Sequence, residues 1–334
     1  MKKFINETKD ITAELLDGFA KAYSEEVEIV DENIVASKIK KPKDKVAIIT
    51  LGGSGHEPAL SGFVGQGMLD CSVVGDIFAA PGAQRVLKAL QLFKRDAGIL
   101  LVTLNHSGDV MSSKMAIQLA ERMGIKAKML LTHDDISAGT DIPDEDRRGL
   151  AGCIPLYKIL GAASEQGKTL EELLEIGTRY NENVATLAVA SGKCTHPQNG
   201  VVISDLPEGE IEIGMGQHGE GGGGRQALIS ADDTAEKMIT ELLKKIKLEK
   251  GDTAMLIING VGGTTYMEMN IVFRKAYDIL VSKGICVAVS RIGEFLTVQE
   301  QSGFQMILAK LDNDHVDYMN NYMSNSPYWK TIGK

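Results

Sequence analysis

The chain has 334 residues, of which 43% are hydrophobic and 24% are charged, and this balance is typical of a soluble globular protein. Its formal net charge of -9 argues against direct nucleic-acid binding, which normally requires a basic surface. No apolar run approaches the roughly 18 residues of a membrane helix. The four cysteines are far apart and match neither a zinc site nor a disulfide framework. We therefore expect a cytoplasmic protein without a membrane span or a bound metal.

Apolar, strand-like runs alternate with amphipathic, helix-like segments in the first half of the chain. Strands are expected at 46–51, 71–75, 98–104 and 126–132, and helices at 11–23, 83–92 and 111–123. This alternation predicts an α/β domain whose mostly parallel sheet is flanked by helices.

The second half has a similar character after a long helical segment expected at 169–186. Strands are expected near 211–215, 254–258 and 285–290, with helices near 232–246 and 264–281. Because a chain of this length exceeds one ordinary hydrophobic core, we predict two α/β domains, at 1–184 and 185–334.

The first candidate site is the loop Gly-Gly-Ser-Gly-His-Glu-Pro at 52–58, which follows a strand. Ligands of open α/β sheets bind beyond the strand C-termini, and glycines let the backbone approach them closely. His56 can transfer a proton near neutral pH. The alternative is a structural turn with an incidental histidine. A Rossmann-type oxidoreductase is disfavoured, because Pro58 stands where the dinucleotide fingerprint requires its third glycine.

Two further loops carry polar residues that could take part in chemistry. Asp109 follows the strand at 98–104, where its carboxylate could accept a proton or simply cap a helix that starts near 110. The third loop, 214–225, is rich in glycine and contains His218. A neutral imidazole can attack a carbonyl carbon, although a flexible loop without function is the alternative.

These loops, in this order, resemble the dihydroxyacetone-binding K subunit of the bacterial dihydroxyacetone kinases. The resemblance covers nearly the whole chain, and the segments at 52–58 and 218–220 are its most specific parts. Further matching segments are 62–70, 108–109, 147–152, 158–163, 259–263 and 303–304.

The resemblance implies a homodimeric subunit that holds a small ketose covalently, as a hemiaminal on His218. It also implies that His56 is the general base for the hydroxyl to be phosphorylated and that Asp109 assists it. Gly53, Ser54 and Gly55 would form the wall of the substrate pocket.

The sequence departs from the family pattern beside this pocket. Leu104 replaces a lysine of the family kinases, and the glycine-rich residues 219–225 replace a Gly-Glu-Pro-Gly segment. Both changes leave His218 in place, but they alter the part of the chain that the resemblance places beside the substrate and the phosphoryl group.

We therefore weigh two functions. In the first, the chain is a kinase subunit for dihydroxyacetone or a four-carbon ketose such as erythrulose. It would have no cofactor of its own, and an L-type partner subunit, recharged in some relatives by a phosphotransferase relay, would carry ADP or ATP and magnesium. In the second, the chain is a ketose sensor without catalysis that acts as coactivator of a transcription factor. Retention of His56 and Asp109 favours the kinase.

Overall fold

The structure, a computed structural model, describes residues 3–216 and 221–333. In these residues the helices are α1 (Ile11–Ala22), α2 (Ala83–Leu92), α3 (Ser107–Arg122), α4 (Cys153–Glu165), α5 (Leu170–Glu182), α6 (Ala231–Lys245), α7 (Tyr266–Ser282) and α8 (Asn313–Asn320). The strands are β1 (Val27–Asp31), β2 (Ile34–Ser37), β3 (Ala47–Ser54), β4 (Cys71–Ile77), β5 (Ile99–Leu104), β6 (Ala127–Thr132), β7 (Val184–Ala190), β8 (Cys194–Thr195), β9 (Val202–Ser204), β10 (Glu210–Ile213), β11 (Arg225–Ala227), β12 (Thr253–Gly260), β13 (Cys286–Gly293), β14 (Gly303–Lys310), β15 (Ser324–Ser326) and β16 (Trp329–Thr331).

The chain forms two compact units, each assembled from separate segments. The first unit comprises residues 3–132, 153–179 and 317–333. The second comprises residues 133–152, 180–216 and 221–316. A single boundary near 185 does not describe this division. Residues 133–152 join the second unit because Asp135 pairs with Thr186, and the C-terminal segment joins the first because Asn325 pairs with Gln66.

The first unit is built on a six-stranded sheet of order β1-β2-β4-β3-β5-β6. Strands β4, β3, β5 and β6 are mutually parallel, whereas β1, β2 and β4 pair antiparallel. The predicted α/β fold with a mostly parallel sheet flanked by helices is confirmed. The hairpin strands β1 and β2 and the helix α4 were not predicted.

The contacts of strand β3 show that helices cover both faces of this sheet. Successive side chains of a strand point to opposite faces. Ala47, Ile49 and Leu51 belong to a buried cluster with residues of α2 and α3. Thr50, one position out of phase, has its hydroxyl 3.0 Å from that of Tyr157 in α4. Because β3 is buried on both faces, its sequence is largely apolar at successive positions.

A buried ionic group fixes the start of β3 beside β4. The carboxylate of Asp70 accepts hydrogen bonds from Lys41 (2.8 Å), from Arg95 (3.1 Å) and from the backbone N–H of Ile48 (2.8 Å). The side chain of Asp70 is 5% exposed. Because a buried charge is tolerated when it is paired and hydrogen-bonded, the two cations compensate the Asp70 carboxylate, and the network orients the start of β3.

The second unit contains a six-stranded sheet of order β11-β10-β7-β14-β12-β13, in which the β12–β13 pair is parallel and the other pairs are antiparallel. The helical segment expected at 169–186 is shorter: α5 ends at Glu182 and β7 begins at Val184. Every residue of β7 is buried, so 184–190 forms a strand inside the sheet. The central strand β14 was not predicted.

Within residues 3–216 and 221–333, no helix has the length and apolar character needed to cross a bilayer.

Helix α4 holds the C-terminal segment of the first unit through a buried lysine. The Lys158 ammonium group donates a hydrogen bond to the carbonyl oxygen of Tyr322 at 2.7 Å. Burial lowers the pKa of Lys158 to about 8 from its ordinary value of 10.5. The folded state therefore binds this proton less tightly than the unfolded chain does, which destabilises the fold wherever the lysine is charged.

The first prediction concerns the pH dependence of stability. Between pH 8 and 10.5 the unfolded chain binds more protons at Lys158 than the folded chain, so the free energy of unfolding gains a contribution that rises with pH. Urea unfolding at several pH values should show the wild type gaining stability relative to Lys158→Met as the pH rises through this window. The exposed Lys94→Met serves as the matched control. An unchanged difference between wild type and Lys158→Met would contradict the assignment.

Candidate functional site

Three neighbouring parallel strands of the first unit end at the same edge of the sheet. Strands β4, β3 and β5 are adjacent and run in the same direction. The loop with His56 follows β3, the segment 78–81 follows β4, and the turn before Asp109 follows β5. The structure thus brings the loops of His56 and Asp109 to the edge at which open α/β sheets bind ligands.

His56 is largely enclosed at this edge. Its exposed fraction is 6%, and its ring packs at a tilt against Phe78, with 4.9 Å between ring centroids. Phe78 lies in the left-handed region, with φ of 56°, and its N–H donates to the carbonyl of Ser54 at 2.8 Å. A non-glycine residue in this conformation is uncommon and is found where the surroundings hold it. Phe78 therefore fixes the orientation of the imidazole face.

The segment 76–81 lies against glycines at the ends of β3 and β4 and in the first turn of α3. A Cβ atom on Gly53 would lie 2.7 Å from the backbone nitrogen of Ala79, and one on Gly75 would lie 2.0 Å from its carbonyl oxygen. A Cβ atom on Gly108 would lie 3.1 Å from the Cβ of Ala80. Because glycine alone permits such backbone contact, the segment connects the loop of His56 with the start of α3.

The predicted wall residues Ser54 and Gly55 make hydrogen bonds within the fold. The hydroxyl of Ser54 donates to the carbonyl of Gly75 at 3.1 Å and lies 3.0 Å from the hydroxyl of Thr12. Gly55 has φ of 101°, and its N–H donates to the carboxylate of Glu57 at 3.0 Å. Burial raises the pKa of Glu57 above its ordinary value, although this hydrogen bond acts in the opposite direction. These bonds hold the loop that precedes Pro58 in one conformation.

Asp109 lies in the first turn of α3 and is 8% exposed. The helix begins at Ser107 and its N-cap is His106, so the alternative in which Asp109 caps a helix that starts near 110 does not hold. A carboxylate in the first turn is stabilised by the partial positive charge of the helix N-terminus. Burial, chiefly, raises the pKa of the Tyr157 hydroxyl well above its ordinary value, and the Asp109 charge adds to this rise. Asp109 thus lies in the first turn of α3 at the edge of a buried region.

Leu104, which replaces the family lysine, is the last residue of β5 and is 4% exposed. Its apolar side chain is buried at the same strand end. A packed hydrocarbon group therefore stands where the resemblance implies a lysine.

A cavity of about 440 Å³ lies beside the loop that carries His56. It is lined by residues of α1, by Gly52 and Gly53, by the segment 57–61 and by Tyr328. Among its described lining residues are neither His56 nor Asp109. Gly53 therefore contributes backbone to this cavity as well as to the contact with segment 76–81.

His218 lies outside the described residues, as do Gly219 and Glu220 of the divergent segment 219–225. The described residues next to them belong to the second unit, where β10 and β11 form an antiparallel pair. The expectation that His56, Asp109 and His218 share one pocket stays a prediction.

Sequence reasoning did not identify Phe78 as part of the site. The available signal was the sequence 75–81, Gly-Asp-Ile-Phe-Ala-Ala-Pro, in which a glycine and a proline enclose a short apolar segment directly after a strand. Like the loop of His56, this segment follows the C-terminal end of a strand, where ligands of open α/β sheets bind.

The second prediction concerns the close approach at Gly53. In Gly53→Ala the new Cβ would meet backbone atoms of Ala79, which cannot rotate away, so we expect a loss of about 1–3 kcal/mol of stability. In the control Gly18→Ala, an added Cβ in α1 meets no atom within 4 Å, and the helix should gain about 0.5–1 kcal/mol. Equal thermal unfolding of both variants would contradict this account.

Known proteins share this fold and much of this sequence. The Dak1 domain matches residues 17–326. The chain is 34% identical over 314 residues to the dihydroxyacetone-binding subunit DhaK of PTS-dependent dihydroxyacetone kinase 1 from Listeria innocua, which covers 94% of this chain and 95% of that protein. It is 33% identical over 318 residues to an L-erythrulose kinase from Pectobacterium atrosepticum, which covers 94% of this chain and 54% of that protein.

A solved structure gives the same result. The dihydroxyacetone kinase operon co-activator Dha-DhaQ matches with a TM-score of 0.90 at 29% identity, over 98% of this chain and 99% of that one. The resemblance indicated by the sequence motifs is confirmed. Since the Dak1 match spans almost the entire length of the sequence, the chain belongs to the Dak1 domain family.

Proposed function

We propose that this chain is the ketose-binding subunit of a dihydroxyacetone-type kinase. It captures a short ketose on His218 and presents a terminal hydroxyl for phosphorylation. The observation that carries the proposal is the arrangement of the His56 and Asp109 loops on adjacent parallel strands of a Dak1 chain. A proton acceptor and a carboxylate at one strand edge are the groups that a hydroxyl nucleophile needs.

In the proposed capture step, a ring nitrogen of His218 forms a bond to the ketone carbon. The carbonyl π bond breaks, the oxygen becomes a hydroxyl, and the proton released by the ring balances the new O–H bond. Such a covalent bond makes the subsequent transfer effectively intramolecular with respect to the ketose. It also selects ketoses over glycerol, which has no carbonyl group to capture.

In the proposed transfer step, His56 accepts the proton of the terminal hydroxyl as its oxygen attacks the phosphoryl donor. Asp109 assists by favouring the protonated imidazole, since an opposite charge nearby stabilises that form. The phosphoryl group would come from a separate L-type subunit that carries the nucleotide and magnesium and is recharged by a phosphotransferase relay. We further propose that the ketose-binding chain is a homodimer that works in the cytoplasm.

The substrate follows from the relatives and from the chemistry of capture. Relatives named as dihydroxyacetone and erythrulose kinases both act on ketoses with a hydroxyl next to the carbonyl carbon. Dihydroxyacetone is our first candidate. Because Leu104 is apolar, a four-carbon ketose such as erythrulose is the second.

The second candidate function is a sensor that binds a ketose and then a transcription factor. The similarity to an operon co-activator and the apolar Leu104 favour it. The enclosed His56 and the Asp109 carboxylate favour the kinase, because neither group is required for capture by a different histidine.

The third prediction concerns capture. Native mass spectrometry of the wild type with dihydroxyacetone should show an added mass of one ketose, and His218→Ala should show none. His196→Ala, which changes a histidine outside the proposed site, is the matched control and should retain the adduct. Glycerol should give no adduct with any variant. An equal mass shift for wild type and His218→Ala would remove His218 from the mechanism.

The fourth prediction separates a kinase from a sensor. His56→Ala should still form the ketose adduct but should transfer phosphoryl groups roughly 10²–10⁴-fold more slowly, which is the usual contribution of a general base. The assay contains the cognate L-type subunit, nucleotide and magnesium. The sensor reading would replace the kinase if the wild type showed no turnover with any such partner and bound a transcription factor only in the presence of ketose.

A further inference from the structure

The described residues on either side of 217–220 are joined to each other in the second unit. The N–H of Gly223 donates to the carbonyl of Ile213 at 2.7 Å, which extends the β10–β11 pairing by one step. Residues 214–222 lie between these two bonded positions, and position 218 is their midpoint. We call residues 212–214 and 222–225 the loop base. Its conformation determines where both ends of the segment with His218 start.

The loop base is too tightly packed for side chains at its centre. Gly214 has φ of 88°, and a Cβ on Gly222 would lie 1.7 Å from the Gly214 carbonyl oxygen. A Cβ on Gly214 itself would lie 2.6 Å from the Cβ of Ser137. Only glycine at these positions allows the two strands of the base and the turn at Ser137 to meet.

Arg148 connects this base to a buried carboxylate. Its Nη2 donates to the carbonyl of Gly214 at 3.1 Å and to the hydroxyl of Ser137 at 2.9 Å. Its Nε donates to Asp135 at 2.7 Å. The side chain of Asp135 is 2% exposed, and its carboxylate also accepts the N–H of Ser137 at 2.9 Å. The guanidinium is therefore held in one orientation on the carboxylate while it binds the loop base.

Burial and this arginine act in opposite directions on the pKa of Asp135. Burial raises the pKa of Asp135 above its ordinary value, and Arg148 acts to lower it. A charged hydrogen bond inside a protein is stronger than a neutral one. A planar guanidinium can contact a carboxylate and a carbonyl together in fixed directions, which the single ammonium group of lysine cannot reproduce.

We propose that Arg148 is a positioning residue for ketose capture, because it fixes the Gly214 end of the segment that carries His218. This inference rests on the proposed function. Glycine-rich segments lose much conformational freedom when they are ordered. By ordering residues 212–214 and 222–225 in advance, Arg148 reduces the conformational entropy that this loop base must lose during capture.

The test is a titration of adduct formation with dihydroxyacetone, followed by native mass spectrometry. Arg148→Met should raise the half-saturating ketose concentration roughly 10–100-fold, as expected for loss of a charged hydrogen bond. Arg148→Lys should recover part of the affinity. At saturating ketose, the phosphoryl-transfer rate should remain within a factor of about two, because the captured molecule is the same.

The control is Arg274→Met, which removes an exposed arginine of the same unit that is paired with Asp232. It should leave the half-saturating concentration unchanged. Ser137→Ala removes one partner of Arg148 and should give a smaller increase than Arg148→Met. It also keeps the inference testable if Arg148→Met does not fold.

Hydrogen exchange provides a readout that does not depend on ketose. The Gly223 amide should exchange faster in Arg148→Met than in the wild type, with little change in β12. Equal half-saturation or equal exchange at Gly223 for wild type and Arg148→Met would overturn the role of Arg148. Absence of any adduct on the wild type would overturn the proposed function, while faster exchange in that case would show that Arg148 orders the loop base alone.

Discussion

The arrangement of the first unit's site depends on backbone packed directly against glycine. Segment 76–81 approaches Gly53 and Gly75 so closely that any side chain at these positions would overlap it. This contact places Phe78 against His56 and Ala80 against the start of α3. The segments that follow β3, β4 and β5 therefore pack against one another, although they are separated in sequence. Gly53 of the motif at 52–58 is thus explained by its close contact with the backbone of this segment.

In the second unit, an ion pair with a buried carboxylate holds closely packed backbone segments together. Its loop base is also built from glycines, but a buried Asp135 and the guanidinium of Arg148 hold it. A neighbouring carboxylate, Asp134, accepts the backbone N–H groups of Leu150 and Gly152, so both ends of the 135–152 segment are anchored near β7. In each unit, glycines thus allow two backbone segments to pack closely, and buried hydrogen-bonded polar groups hold the surrounding chain.

Much of this arrangement could be predicted from local sequence. Strands β3 and β5 are largely apolar runs, β6 is apolar apart from Lys128 and Thr132, and the loops after β3 and β5 contain the residues that a strand-end site requires. Other features depend on partners far along the chain. The apolar run at 303–310 gives no local indication that β14 lies between β7 and β12. Arg148 contacts Gly214, which is 66 positions away, and its spacing from Asp135 has no sequence signature. The start of α3 was misplaced because His106, rather than Asp109, is its N-cap.

The central claim is that a histidine of this chain forms a covalent bond to a ketose. The most direct measurement is NMR of the protein labelled with ¹⁵N in its histidines and mixed with dihydroxyacetone labelled with ¹³C at the carbonyl. A hemiaminal predicts a tetrahedral carbon signal with one-bond coupling to a ring nitrogen, and His218→Ala should lose it. A spectrum that contains only the free ketone and its hydrate, at ketose concentrations that saturate the protein, would contradict the account.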